Sequence, residues 1–489
     1  MSEPAGIVYL VGAGPGDVGL LTLRGRDCLA AADLVLYDGL VNPALLTLAG
    51  GRCERTARVV RDGDRRIDQA EVNRRLIEAA REGLTVCRLK GGDPYIFGRG
   101  SEEAAALHEA GIRFEVVPGV TAATASGAYA GFSLTHRNIA SAVALVTGHE
   151  RPGKPSSMLD YAALAAFPGT LVFYMGLHRL PEIAAELIAA GLDAATPAAV
   201  VSKASLPEQR VASGPIGELP TIAFEAGLHP PSLIVVGECV RLRETLDWFG
   251  RRPLAGLTIA VCRPIAQCGE SIAAIESRGG RGVAAPLIRI DPPESWAALD
   301  DALNRLASFD WIALTSANAA DALAERLFAT GRDARALAGC RIACVGEATA
   351  AALHPLGLRS DLTASGGNAT SLAADLLGQS PRRVLFPAAD RAKPTLPEAL
   401  RAAGVAVESV VAYRSCDVDD WDAAEADWVA VTSDSIARRL ASVSRGPARV
   451  ACLSEAIAAT CRELGLPVDA IAAEPSWDSL LDAIVAARR

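Results

Sequence analysis

The sequence predicts an α/β protein of four lobes, two in each half of the chain. Three observations carry this expectation. Apolar β-like runs alternate with glycine turns and helical periodicity over the first 119 residues. The pattern turns to alanine-rich helix after Pro118-Gly119. The second half then repeats its own strand and helix signals, the mark of two similar structural units. The length agrees: 489 residues, 50% hydrophobic and 21% charged, supply about three or four cores of roughly 100–200 residues and exclude disorder or a single small module.

The first half opens with an apolar run over residues 7–11, read as a strand, followed by Gly12-Ala13-Gly14-Pro15-Gly16-Asp17. Helical spacing over 20–31 and a second apolar run over 34–37, ending at Asp38, complete a βαβ start. A helix is expected over 68–82, a strand over 84–89, a turn at Gly91-Gly92-Asp93-Pro94 and a helix over 101–110. Such alternation predicts a parallel sheet. A second lobe is expected over 120–249, with strands over 142–146, 170–174 and 233–236. Gly, Pro and two arginines in residues 249–256 mark the boundary between domains 1–249 and 255–489, read as a short polar linker without rigid docking.

In the second half, Asp310-Trp311-Ile312-Ala313-Leu314-Thr315-Ser316 returns as Asp427-Trp428-Val429-Ala430-Val431-Thr432-Ser433. Arg341-Ile342-Ala343-Cys344 and Glu347-Ala348 return as Arg449-Val450-Ala451-Cys452 and Glu455-Ala456. Leu356-Gly357-Leu358 with Asp361 returns as Leu464-Gly465-Leu466 with Asp469. A strand that ends in Thr-Ser and leads into a helix presents hydroxyls and amides where open α/β sheets bind ligands. Two such ends facing each other make a cleft. Helix capping alone also places Ser and Thr there, so both readings stand.

The net charge of −9 leaves no basic field for a phosphate backbone, which argues against a nucleic-acid partner. No apolar run reaches the roughly 18 residues of a membrane span and the first residues carry no signal pattern, so a cytoplasmic protein is expected. Eleven cysteines without a CxxC pair and six scattered histidines predict reduced thiols and no metal. The first glycine loop, with Asp38 behind it, invites a dinucleotide reading. Pro15 removes an amide and Asp17 adds negative charge, so a nucleoside without phosphate fits better. The loops at 91–94 and 118–122 offer two more close backbones, although each alone reads as a turn. Arg52, Arg55, Arg58, Arg61, Arg65 and Arg66 crowd one polar loop, either a solvated face or a receiver of polycarboxylates through forked contacts.

Taken in order, VYLVGAGPGD, LVLYDGLV, CRLKGGDPYIFGRG, FEVVPGVTAATA, FSLTHR, VTGH and LVFYMG resemble uroporphyrinogen-III C-methyltransferase over about residues 6–248. The segments PLAGLTIAVCRP, WIALTSANA, CVGEATAAAL, LPEALRAAGVAVESVVAYRS and WVAVTSDS resemble uroporphyrinogen-III synthase over about 253–485. The resemblance implies a two-lobed tetrapyrrole-methyltransferase fold followed by a two-lobed synthase-like α/β fold. It implies S-adenosylmethionine as methyl donor, hydroxymethylbilane and uroporphyrinogen III as substrates, and a homodimer. By motif, Pro15, Gly91, Gly92, Asp93, Ile96, Thr121, Ala122, Met175 and Ala204 would line the donor site, and Asp38 would be the proton acceptor. Arg61, Arg88 and Arg99 would meet the substrate in the first half, and Thr315, Ser316, Thr349 and Ser433 in the second. Tyr413 would assist departure of the bilane hydroxyl.

Two departures qualify the match. Val60 stands where the family usually has a lysine, and valine cannot carry a proton. Cys452-Leu453-Ser454-Glu455-Ala456 and Cys262-Arg263-Pro264 differ from the commoner synthase segments. The expected product is precorrin-2, for siroheme or cobalamin. An NAD-linked dehydrogenase built on the first glycine loop, or a two-lobed sensor that binds a tetrapyrrole without turnover, are the other readings.

Overall fold

The structure, a computed structural model, describes residues 6–56, 58–61, 64–148, 159–419, 421 and 425–488, with the side chains of 57–67 left aside. Two compact units divide the chain: residues up to Gly256 with Arg278–Arg281, and Leu257–Ser277 with Gly282–Arg489.

The first lobe of unit one is a five-stranded sheet. Its spatial order is Arg52–Arg55, Leu34–Tyr37, Thr85–Lys90, Ile7–Gly12, Arg113–Val117, and every pairing is parallel. Its apolar runs are unbroken because both faces are covered. Leu34 and Leu36 enter one core with Val8, Leu10 and Leu76, whereas Val35 enters the other with Val11, Leu29 and Leu89. The helices Leu23–Ala31, Gln69–Arg81 and Gly100–Glu109 lie within two residues of the spans expected at their C-terminal ends. At the N-terminal end of the first, Thr22 caps Gly25 and delays the helix, with a 3-10 turn at Val18–Leu20 before it.

The arginine-rich stretch is a correction to the expected loop. Arg52–Arg55 is an edge strand, and Arg58–Arg61 pairs antiparallel with Asp64–Ile67. Alternating charges suit an exposed sheet edge, where they discourage pairing with another chain. The side chains of Val60 and Arg61 lie outside the described residues.

The second lobe carries a mixed sheet in the order Arg210–Pro215, Pro197–Ser202, Ser232–Val236, Thr170–Tyr174, Val143–Thr147. Only Val143–Thr147 runs parallel to its neighbour. Period-two patterns place residues on faces but carry no strand direction, and direction is where this lobe departs from the first. Residues 249–256 do not hang free as a linker. The Arg252 guanidinium lies 3.8 Å from the Phe249 ring centroid, Arg251 Nη2 donates to Glu244 O at 2.7 Å, and Leu254 is fully buried.

Unit two also has two lobes, but no single boundary separates them. One sheet, in the order Arg281–Ala284, Thr258–Val261, Trp428–Val431, Arg449–Cys452, Ala470–Ile471, takes strands from both ends of the unit. The other, Ile288–Asp291, Ala406–Asp417, Arg383–Ala389, Trp311–Leu314, Arg341–Cys344, Leu362–Thr363, is inserted between them. Ile288–Asp291 pairs antiparallel with the end of Ala406–Asp417, so the outgoing and returning chains run side by side. The repeat is visible in side-chain detail. Arg341 covers Trp311 at 4.2 Å, and Arg449 covers Trp428 at 4.3 Å. Asp361 Oδ2 accepts from Ile342 N at 2.7 Å, and Asp469 Oδ2 accepts from Val450 N at 2.8 Å. All eleven cysteines are free and most are buried. Among the described residues, no helix is long and apolar enough to cross a membrane.

Candidate functional site

In the first lobe of unit one, the parallel strands all end on one side, and their ends supply the loops singled out in the sequence. Ala13 N donates to Lys90 O at 2.7 Å, and Gly14 and Gly92 exchange hydrogen bonds at 3.2 and 2.7 Å. Gly12 and Gly119 allow this closeness: a Cβ on Gly119 would stand 2.3 Å from Gly92 O and 2.7 Å from Gly12 Cα. The three glycine loops are thus one structure. Asp93 ties them together, accepting from Tyr95 N at 2.8 Å through Oδ1 and from Gly119 N at 3.0 Å through Oδ2. Its first task is therefore to hold the loops, a role that the sequence reading, which gave it to a ligand, did not contain.

Ile96, Ala122 and Ala204 rim a single apolar cluster that includes Phe132, Val172, Tyr174 and Leu233. Thr121 Oγ1 and Tyr174 OH lie 2.6 Å apart, and Tyr174 OH also accepts from Ala123 N at 3.0 Å. Met175, next along, is half exposed with φ of 56°. Tyr174 is a residue the sequence reading missed, although it sits inside the LVFYMG motif. Pro15 is half-buried in the first glycine loop, beside Asp17. Asp17 N donates to Ser205 Oγ at 3.0 Å and Asp17 Oδ2 accepts from Tyr129 OH at 2.7 Å, joining that loop to the second lobe. Gly91, Gly92 and Asp93 face the same strand-end loops.

Asp38 follows the strand Leu34–Tyr37, and its N donates to Leu89 O at 3.2 Å. Its Oδ1 accepts from Arg88 Nη2 at 2.5 Å and from Thr56 Oγ1 at 3.3 Å. Arg88 is a correction: it is 2% exposed and lies in the lobe's interior, with its guanidinium committed to Asp38, Glu103 and Leu36 O, so it presents no group to a substrate. Alternation explains the miss. Arg88 occupies an inward position of a central strand, and its partners come from other elements. Arg99, with φ of 60° before the helix Gly100–Glu109, is half exposed and pairs with Glu102 at 2.7 Å.

In unit two, strand order reverses between Trp311–Leu314 and Arg383–Ala389 in one lobe, and between Thr258–Val261 and Trp428–Val431 in the other. Open sheets bind ligands outside the carboxyl ends at such points. Thr315-Ser316 and Asp390 follow one pair of strand ends, Arg263 and Thr432-Ser433 the other. Tyr413 OH lies 2.9 Å from Ser316 Oγ, and Asn318, on the helix that Ser316 caps, accepts through Oδ1 from Gln267 Nε2 of the other lobe at 2.7 Å. Burial pushes the Tyr413 phenol above its ordinary range, against the hydrogen bond with Ser316, and keeps it a proton donor. Ser316 and Ser433 do cap helices, accepting from Ala319 N at 3.1 Å and Ile436 N at 3.3 Å. Thr315 is half-buried. Thr349 is a correction: the helix Glu347–Ala351 packs it inward and leaves it 4% exposed, so its hydroxyl does not line an open surface. Arg263, missed in the sequence as a site residue, is half-buried with only Ser271 Oγ at 3.4 Å, and burial lowers its pKa. Among the described residues no carboxylate pairs with it.

Residues 7–220 match the family of Tetrapyrrole (Corrin/Porphyrin) Methylases, and residues 270–482 match Uroporphyrinogen-III synthase. The porphyrin biosynthesis protein HemD of Ruminiclostridium josui is 37% identical over 413 residues, covering 84% of this chain and 82% of its own. The chain belongs to this family of porphyrin biosynthesis proteins. It is an enzyme with a tetrapyrrole methylase in its first half and a uroporphyrinogen-III synthase in its second. The Siroheme synthase of Pseudomonas putida is 49% identical over 247 residues, half of this chain and 53% of that one. The uroporphyrin-III C-methyl transferase of Thermus thermophilus, solved in complex with S-adenyl homocysteine, is 41% identical over 48% of this chain and all of its own, with a TM-score of 0.42. Membership makes the first half a tetrapyrrole methylase in place of an NAD-linked dehydrogenase, and the chain an enzyme in place of a sensor.

Proposed function

We propose that the synthase half cyclises hydroxymethylbilane to uroporphyrinogen III with inversion of ring D. The methylase half then transfers methyl groups from S-adenosylmethionine to C2 and C7, giving precorrin-2 for siroheme or cobalamin. The observation that carries the first-half reading is the joining of three glycine loops into one floor beside an apolar rim. That floor suits a nucleoside ligand, because close backbone and apolar side chains can meet its rings. Pro15, Gly91, Gly92, Ile96, Thr121, Ala122, Met175 and Ala204 would form the donor site. In the transfer, the S–CH3 bond breaks, its electron pair stays on sulfur, and a pyrrole carbon forms the new C–C bond. The substrate cation then loses a proton to Asp38.

In the synthase half, Tyr413 would protonate the departing hydroxyl, which leaves as water and generates an electrophilic azafulvene. Folding the bilane so that ring D closes in the inverted sense is then a matter of positioning. Arg263 would receive a substrate carboxylate, since a half-buried guanidinium without an acidic partner suits one. Purified protein supplied with hydroxymethylbilane and labelled S-adenosylmethionine is expected to yield doubly methylated precorrin-2. Unlabelled uroporphyrinogen III alone would remove the methylation reading, and unaltered bilane would remove the cyclisation reading.

Asp93→Ala is expected to weaken binding of S-adenosyl homocysteine by about tenfold, because two backbone anchors of the loops are lost at roughly 1.4 kcal/mol or more. Calorimetry reads this directly. Unchanged affinity would show that the loops hold their arrangement without the carboxylate.

A further inference from the structure

The first lobe buries a cluster of charges that methyl transfer as described above does not use. Arg88 and Lys90 lie two residues apart on the strand Thr85–Lys90, hence on one face of the sheet, and each is 2% exposed. Glu103, fully buried on the helix Gly100–Glu109, accepts on Oε1 from Arg88 Nε at 3.1 Å, Lys90 Nζ at 2.8 Å and Gln69 Nε2 at 3.0 Å. Its Oε2 is buried and has no partner among the described residues. Burial of this kind is costly, and well-packed apolar residues of similar volume commonly serve stability as well or better. Stability alone therefore gives a poor account of the cluster.

Its geometry has a direction. The Arg88 guanidinium is rigid and planar, and it is held on one edge by Glu103 while Nη1 donates to Leu36 O at 3.3 Å. Nη2 is left to meet Asp38 Oδ1 at 2.5 Å. Thr56 Oγ1, whose one proton is shared between Tyr37 O at 3.2 Å and this same oxygen at 3.3 Å, also lies on the Oδ1 side, and Oδ2 has no partner among the described residues. The Asp38 side chain is one-fifth exposed, which keeps it within reach of a ligand.

We propose that Arg88, anchored by Glu103, which Lys90 and Gln69 hold in turn, is a positioning residue for methyl transfer: it clamps Asp38 through Oδ1 and reserves Oδ2 as the oxygen that takes the substrate proton. The proposal rests on the assignment of Asp38 as proton acceptor. In the step itself, the substrate C–H bond breaks, its electrons restore the unsaturated ring system, and the proton goes to Oδ2. Arg88 still donates to Oδ1 throughout, so the carboxyl group does not swing away when its charge is neutralised. The proton then passes to solvent.

A double-mutant cycle tests the proposal, using the full chain with uroporphyrinogen III and S-adenosylmethionine. Arg88→Met is expected to lower kcat about tenfold or more while the KM for S-adenosylmethionine stays within about twofold. Arg88→Lys should recover part of the loss. In an Asp38→Asn background, Arg88→Met should cost no more than about twofold further, because the clamp has lost the charge it serves. Effects of Arg88→Met and Asp38→Asn that multiply would overturn the positioning role and leave the assignment of Asp38 standing. Wild-type turnover by Asp38→Asn would overturn both. Should Arg88→Met fail to fold, Glu103→Gln keeps the volume and one acceptor while removing the anchoring charge. It too should slow turnover alone and add nothing to Asp38→Asn, and multiplying effects would again overturn the proposal.

Discussion

Gly119→Ala is expected to abolish binding of the methyl donor at ordinary concentrations while bilane cyclisation by the other half stays intact. The added methyl would sit 2.3 Å from Gly92 O, 2.7 Å from Gly12 Cα and 2.9 Å from Gly12 C. All three are backbone atoms of strand-end loops, so no flexible side chain can move aside. Relief requires the loops to part by about 1 Å, and a displacement of that size at a reacting centre costs on the order of 100-fold. Overpacking adds roughly 1–3 kcal/mol of destabilisation to the methylase half. Backbone conformation is not the obstacle, since the residue needs no left-handed φ. The check is calorimetry with S-adenosyl homocysteine, beside separate assays of methylation and cyclisation on one preparation. Tight binding by the variant would mean that the glycine loops separate easily and do not form the floor proposed for the donor. Lost cyclisation would mean that the damage spreads beyond the methylase half.

Tyr413→Phe should slow formation of uroporphyrinogen III by about 100-fold, the usual contribution of a positioned proton donor. The ring is buried against Ile312, Leu314 and Leu385, so phenylalanine keeps the packing and removes only the hydroxyl. Ser316 keeps its contact with Ala319 N, and Asn318 keeps the one with Gln267. The loss should thus appear in turnover and hardly in thermal stability. A second consequence concerns product identity. With enzymic closure slowed, spontaneous closure of the bilane competes, and the share of the uninverted isomer should rise. The phenol's pKa lies above its ordinary value near 10, so the hydroxyl stays protonated across the neutral and mildly alkaline range. An alkaline limb in the rate below about pH 10 must therefore come from another group. Wild-type rate and isomer ratio would reduce the Tyr413–Ser316 contact to a structural hydrogen bond.

Much of the fold and part of the site can be read from the chain alone, because the relevant signals are local. Strand ends at Gly12, Tyr37 and Lys90 show themselves by an apolar run meeting a glycine or a charge. The 3.6-residue periodicity marks Gln69–Arg81, where Val72, Leu76, Ala79 and Ala80 are buried in turn. The duplicated Trp-to-Ser segments announce two similar lobes, and both copies set an arginine over the tryptophan. The family motifs are also contiguous stretches. They bring Ile96 and Ala122 together before any fold is known, and the structure sets both, with Ala204 from outside those stretches, on one apolar rim.

What the tertiary structure alone decided depends on partners distant in the chain. A repeat cannot show that one lobe of the synthase half is assembled from both ends of the unit, because that is a property of the chain's path between strands. Alternation cannot tell parallel from antiparallel neighbours, so the mixed sheet of the second methylase lobe went unforeseen. Arg88 is the sharpest case. Its sequence neighbours suggest a cation at the mouth of a loop, yet it is buried because Asp38, Glu103 and the Leu36 carbonyl, each from a different part of the chain, compensate its charge together. Hydropathy assigns each residue its own transfer preference. The cost of burying a charge is set by the groups that surround it, and only folding brings those groups together.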